Sequence, residues 1–491
     1  MKIVIIGAGI GGLALANLLA HDGHDVHVYE QRAAPGGRAG LLEQDGFRFD
    51  TGPSWYLMPE VFRRYYELLD ESVEAQLELT RLSPAYKVFF ETQPAVTITS
   101  DLANDSKTFE AIESGAGQAL KRYVRAGDTI YRLSLDKFLY SNFSRLGDIL
   151  NRTTLKYAPN MVRLAATPLH SYVKSFVKDR RLQQILEYPM VFLGTSPFKA
   201  PAIYSLMSSL DFREGVFYPR GGMYTLIESL VRIGRKKGVS YHFNTTVARI
   251  DAHNDAATGI SLDSGAFVQA DVVVSNADLH FNETRLLSSP YQSYPAAYWQ
   301  NKEPGPSALL LYLGIKGKIP ELGHHNLLFV DAWRQNFDDI YKNRKAPDPA
   351  SIYVCKASET DSSVAPQGCE NVFVLVPLPA GNSIANADIP KLKERYLTQI
   401  KTMTGADLTK HVVTKAEFTP HDFSTEFNAW KSSMLGQSHR LRQSAFFRTP
   451  NKSKKLKNLY YVGANTVPGI GLPMCLIGAE LVRERIKGMH P

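Results

Sequence analysis

The sequence predicts an α/β fold, and three observations carry that expectation. From Lys2 to Glu30 the run KIVIIGAGIGGLALANLLAHDGHDVHVYE reads as an apolar strand, a glycine turn, a helix and a second strand ending in an acid. Short buried strands recur at DVVVSNAD from Asp271 and NLYYVGAN from Asn458, as returns of the chain to the same sheet. The apolar runs SALLLYLGI from Ser307 and NVFVLVPLPAG from Asn371 have strand composition and supply the floor of a second domain. No internal repeat or low-complexity tract interrupts the pattern.

The opening unit has the spacing of a dinucleotide grip. Gly7 lets the strand turn sharply, and Gly9 lets backbone N–H groups, with Ala8 between them, approach a pyrophosphate at the helix N-terminus. Gly12 lets helix and strand pack closely. Glu30 is placed to accept from the adenosine ribose, which suits an unphosphorylated 2′-hydroxyl. Gln31 to Gly40 then reads QRAAPGGRAG, a glycine pair with Arg38, before the extended stretch FRFDTGPS. This second loop resembles the one that lies along the pyrophosphate and ribityl chain in flavoenzymes of the glutathione-reductase and amine-oxidase type. The resemblance implies FAD.

A helical stretch is expected next, to about residue 210. Leu120, Tyr123, Val124, Tyr131 and Phe138 recur near helical spacing, with Lys121, Arg122, Arg125, Arg132 and Lys137 interleaved. Residues 110–185 hold thirteen Lys or Arg against six Asp or Glu, so nearly all of the net charge of +8 sits there. A basic amphipathic face of this kind suits anionic lipid. No nucleic-acid recognition motif accompanies it. From Gly215, GVFYPRGGMYTLIESL predicts a glycine turn and a helix from Met223, followed by a strand pair around Val239–Ile250. The C-terminal VGANTVPGIGLPMCLIGAELV predicts a strand, a Gly/Pro turn and a helix after Gly471, whose free N–H groups suit an electron-rich ligand.

Size and composition agree with this reading. A chain of 491 residues, 44% hydrophobic and 21% charged, folds as more than one domain. Cys355, Cys369 and Cys475 are too few and too scattered for a disulfide framework, and no zinc spacing appears, so no metal is expected and a reducing, cytoplasmic setting fits. The apolar start is read as core strand rather than signal peptide, because its glycines keep the dinucleotide spacing. No run is apolar for about 18 residues without interruption.

Four separated pieces together resemble the bacterial-type carotenoid (phytoene) desaturases within the FAD amine-oxidase superfamily. They are GAGIGGLALA with Glu30 and PGGRAG; FRFDTGPSWYLMP; GVFYPRGGMYTLIESL with DVVVSNAD; and VGANTVPGIGLPMCLIGAELV. TDSSVAPQGCENVFVLVPLP and FTPHDF extend the likeness over nearly the whole chain.

The resemblance implies a discontinuous Rossmann-like FAD-binding domain (1–80, 215–300 and 456–491), a mixed-sheet substrate domain (81–109 and 301–455) and a helical, membrane-facing subdomain (110–214). Gly7, Ala8, Gly9, Gly12, Glu30, Gln31, Gly37 and Arg38 would hold the ADP half of FAD, with Val247 near the adenine. Gly463, Ala464, Gly471, Leu472 and Pro473 would surround the ribityl chain and the isoalloxazine. Ala464-Asn465 stands where many superfamily members carry an acid.

The implied reaction removes two hydrogens from adjacent carbons of an isoprenoid polyene: a hydride passes to flavin N5 and a proton leaves the neighbouring carbon. Such a substrate needs a long apolar tunnel. Trp55 and Tyr56, directly after DTGPS, are the candidate catalytic residues, because an aromatic face stabilises a developing cation by about 0.5–2 kcal/mol. His421-Asp422 is read as structural. The family counterpart of the basic segment is membrane-apposed, which implies peripheral attachment at the cytoplasmic face of the cell membrane, with a quinone or oxygen as candidate electron acceptor. Alternatives on the same scaffold are a desaturase of hydroxylated or squalene-like carotenoids and a carotene isomerase. A flavin amine oxidase and a non-catalytic lipid-binding module represent other classes.

Overall fold

The computed structural model describes residues 1–135, 139–141, 152–381, 383–444 and 447–489. Its nucleotide-end sheet has five parallel strands in the order Leu459–Tyr461, Val272–Ser275, Lys2–Ile6, Asp25–Tyr29 and Ser240–His242. Three distant stretches of chain therefore meet in one layer. The helix Ile10–His21 is buried on every side from Ile10 to Leu19. It lies against both Tyr224–Lys236 and Leu472–Lys487, which explains why its sequence is apolar all round rather than striped.

A seven-stranded mixed sheet forms the second layer. Its order is Val412–Phe418, Ser307–Lys316, Cys369–Leu378, Ile352–Cys355, His325–Phe329, Tyr86–Phe90 and Val96–Ile98. The period of two sorts its side chains. Leu309, Leu311 and Leu313 pack with Val372, Val374 and the helix Ile389–Thr404. Leu310, Tyr312, Phe373 and Leu375 face the opposite way, into a large cavity. Helices Leu102–Ile112, Ala116–Ser134, Arg152–Ala166, Arg180–Glu187 and Ser205–Arg213 form the helical part. In Ala116–Ser134, Leu120, Tyr123, Val124 and Tyr131 are buried while Lys121, Arg122, Arg125 and Arg132 are exposed. Lys137 and Phe138 lie outside the described residues.

Two expectations are corrected. Strands Leu79–Arg81, Tyr86–Phe90 and Val96–Ile98 precede the helical part, and the last two lie in the seven-stranded sheet. The helical part begins at Leu102 rather than 110, because Leu102–Ile112 packs on Ala116–Ser134. The strands around Val239–Ile250 do not pair with each other: Ser240–His242 runs parallel to Asp25–Tyr29, whereas Val247–His253 pairs with Ala256–Leu262 in a separate three-stranded sheet. Asn244, at φ 51°, turns the chain between them.

Candidate functional site

A cavity of about 1080 Å³ runs between the two sheets and the helices, at the upper end of the size of ordinary ligand pockets. One end is the glycine turn. Gly7 sits at φ +95°, and a Cβ on Gly12 would lie 2.3 Å from the Gly7 carbonyl oxygen. That position admits no side chain. Ile10–His21 starts without a side-chain cap, so its first N–H groups face the cavity mouthed by Gly7 and Gly9. Gly37, at φ +57°, approaches Gly9, and the Gly36 N–H donates to the Ala8 carbonyl at 2.8 Å.

Glu30 is buried at the cavity wall. Its carboxylate accepts from the Ala8 N–H at 2.8 Å and the Arg32 N–H at 3.0 Å. A carboxylate has about four acceptor sites, so capacity remains for ribose hydroxyls. Gln31 and Val247 line the same end, and the Gln31 amide donates to the Glu426 carbonyl at 3.1 Å.

Arg38 provides the strongest sign of an anionic ligand. Its Nε and Nη2 are buried with no hydrogen-bond partner among the described residues, and Asp278 stands as a counter-charge at 3.8 Å. Burial lowers its proton affinity while Asp278 opposes the shift. An under-satisfied buried guanidinium is costly, and a phosphate beside it would remove the cost. The uncapped helix start, the glycine cradle and this cation fit the diphosphate of a dinucleotide.

The far strand completes the cradle. Gly463 and Gly471 have φ +115° and +120°. Gly463, Ala464, Gly471, Leu472 and Pro473 all line the cavity, where the uncapped helix Leu472–Lys487 begins. Two residues that local sequence signals did not single out organise this junction. The Asn276 side chain donates to the Val462 carbonyl at 2.9 Å and packs against Gly9, Gly12 and Gly463. Arg448, fully buried, donates to the backbone carbonyls of Thr466, Gln443 and Ala464, and burial lowers it to about 10. Asn276 was visible only as the end of an apolar strand, and Arg448 carried no motif at all.

Beyond DTGPS the walls turn apolar and aromatic. The Thr51 carbonyl accepts from the Tyr312 hydroxyl at 3.1 Å, and the Ser54 and Tyr353 hydroxyls lie 2.6 Å apart, so this loop is tied to the seven-stranded sheet. Trp55 lines the cavity and stacks on His325, with ring centroids 4.3 Å apart and an interplanar angle of 9°. Tyr56 requires a correction. It is fully buried, stacks on Phe62 at 4.2 Å and lies outside the cavity wall, so its ring cannot meet a ligand there. Asp422 closes a capping box with Thr419, which accounts for it as a structural residue. The scattered cysteines also conceal a juxtaposition. The fold brings Cys355 beside His324 and His325, with donor atoms of all three within 4.8 Å of one another.

Comparison with known proteins agrees with this geometry. Residues 10–482 match the flavin containing amine oxidoreductase family. The chain is 38% identical over 484 residues to a carotenoid 3,4-desaturase of Haloarcula japonica, covering 99% of this chain and 97% of that protein. It is 36% identical over 491 residues to a zeta-carotene-forming phytoene desaturase of Myxococcus xanthus, covering 99% and 93% respectively. The crystal structure of an oxidoreductase from Methanosarcina mazei shares the fold, with a TM-score of 0.63 at 19% identity over 99% of this chain and 100% of that one.

Proposed function

The chain belongs to the flavin-containing amine oxidoreductase family, and within it we propose that this FAD-dependent oxidoreductase desaturates an acyclic carotenoid precursor, phytoene toward lycopene-type polyenes. The observation that carries this reading is the cavity itself, which joins a dinucleotide cradle to walls built from Leu310, Phe329, Phe373 and Leu375. A hydrocarbon offers no polar handle, so its binding free energy comes from apolar burial of roughly 25 cal/mol per Å². Val162 and Phe447 line the same cavity while standing 68% and 62% exposed, which marks a greasy opening. A protonated amine would find no advantage there.

Bound flavin supplies the two-electron acceptor for the hydride that leaves the substrate. The residues of the chain do the rest. Gly7, Gly9, Glu30, Gly37 and Arg38 would hold the ADP half, with Ala8, Gly12, Gln31 and Val247 supporting it. Gly463, Ala464, Gly471, Leu472 and Pro473 would orient the reactive ring. Trp55 presents its face to the polyene, where positive charge develops on carbon as the hydride departs. The surrounding aromatic wall excludes water.

We place the protein peripherally at the cytoplasmic face of the membrane, where such a substrate dissolves, with a quinone or oxygen taking the electrons onward. The exposed Lys121, Arg122 and Arg125 support this attachment. Among the described residues no helix is long and apolar enough to cross a membrane. Expression in cells that accumulate phytoene tests the activity: a coloured polyene is expected, and unchanged phytoene overturns the reading.

A further inference from the structure

Behind Trp55 lies a chain of polar groups that flavin binding does not require. Ser54 and Tyr353 both line the cavity, with their oxygens 2.6 Å apart. The Tyr353 oxygen is 2.7 Å from Nδ1 of His325. His324 stands edge-on to His325 with ring centroids 4.5 Å apart, and its own Nδ1 is 2.7 Å from the Thr360 hydroxyl. Thr360 is exposed. The series therefore begins at the cavity wall and ends in solvent.

Its members are expensive to bury. His324 and His325 are 5% and 1% exposed, and the Nε2 atom of each is buried without a hydrogen-bond partner among the described residues. A buried polar group without a partner carries the full cost of its lost hydration. Phenylalanine would stack under Trp55 without that penalty, so packing alone does not explain the pair.

We propose that Tyr353, with Ser54, accepts the proton that desaturation releases, and that His325, His324 and Thr360 carry it to solvent. The inference rests on the desaturase reading. In that reaction one C–H electron pair leaves with the hydride to the flavin, and the neighbouring C–H pair becomes the new C=C bond. One bare proton remains, in a cavity walled mostly by hydrocarbon. The Tyr353 oxygen takes it while passing its own hydroxyl proton to Nδ1 of His325, so the tyrosine ends unchanged and the imidazole carries the charge. His325 then releases its Nε2 proton to Nε2 of His324, whose ring stands edge-on beside it. His324 in turn releases its Nδ1 proton through the Thr360 hydroxyl.

Electrostatics suit a conduit rather than a store. Burial holds His324 down to about 3, with Lys356 acting in the same direction and Asp361 opposing. Burial and the neighbouring His324 hold His325 well below the ordinary histidine range. Both rings therefore rest neutral, and a proton placed on either is quickly passed on. Tyr353 and Ser54 are the catalytic groups here. His325 and His324 act through them.

The test is anaerobic mixing of the purified FAD-loaded enzyme with phytoene in liposomes, following flavin bleaching in H₂O and in D₂O. Tyr353→Phe keeps the ring and removes the link. It is expected to bleach about 10²-fold more slowly, with normal flavin content, and to lose the solvent isotope effect of the wild type. His325→Phe, which preserves the stack on Trp55, is expected to behave alike and guards against a folding defect in the first variant. Unchanged rates and isotope effects in both variants overturn the relay while leaving the desaturase reading intact. Stoichiometric zinc bound to the wild type and lost in Cys355→Ser also overturns it, by assigning the imidazole nitrogens to a metal. A wild type that phytoene does not bleach removes the desaturase reading and the relay together.

Discussion

At the scale of single residues, the candidate site depends on groups whose surroundings give them one task. Trp55 offers a face to the cavity and rests on His325, so Trp55→Leu is expected to lower turnover by roughly 2- to 30-fold, the equivalent of about 0.5–2 kcal/mol, with FAD content unchanged. Unaltered turnover would remove its role. Asp50 has a structural duty that its place in FRFDTGPS did not disclose. Its carboxyl accepts from the Met223 and Tyr224 N–H groups at 2.8 and 2.9 Å, at the start of the helix Tyr224–Lys236, and burial pushes it up to about 6. Asp50→Ala leaves both donors unpaired, and a stability loss of about 1–2 kcal/mol is expected in thermal or denaturant melts. Trp55 and Asp50 stand five residues apart in one motif, yet only their contacts separate a cavity wall from a helix cap.

Elements depend on close approach and on charge at their junctions. The helix Ile10–His21 can lie on the strand Lys2–Ile6 only because residue 12 has no side chain. Gly12→Ala puts a Cβ 2.3 Å from the Gly7 carbonyl, and purified protein is expected to show little or no bound-flavin absorbance. A second junction joins the helices Pro59–Glu67 and Ser205–Arg213, where Glu214 faces Glu60. Burial, and then Glu60, push Glu214 up to about 7, while Arg213 opposes the shift. Asp211, buried and accepting from Tyr86 and Tyr188, is also pushed up to about 7 by burial. A carboxyl raised in the folded state favours folding fully below its ordinary value, and that contribution fades as pH climbs through the raised one. The advantage of Glu214→Gln over the wild type in melting temperature is therefore expected to be larger at pH 8 than at pH 6. An equal advantage at both would detach this junction from the pH response. Periodicity exposed the buried face of Ala116–Ser134, but nothing in it told which acid would meet which.

At the scale of the whole molecule, a nucleotide sheet, a substrate sheet and a helical part enclose one cavity whose lip carries Val162 and Phe447. If the basic helix Ala116–Ser134 meets the lipid, wild-type protein floats with anionic liposomes, and reversing Arg122 and Arg125 to Glu returns it to the soluble fraction. Protein that stays soluble in both forms would overturn the attachment. Much of this plan was legible in the chain itself, because turns, helix starts and buried strands obey local rules. Gly7 and Gly9 must be glycine where they stand, and SALLLYLGI must alternate between two apolar faces. The tertiary structure alone decided what those faces meet. It set Asn276 against Gly9 and Gly463, turned Tyr56 away from the cavity, and gathered His324, His325, Tyr353 and Cys355 behind Trp55. The physical reason is that periodicity records how one segment presents its side chains, whereas the neighbour across a sheet is chosen by strand order, which brings together residues hundreds of positions apart.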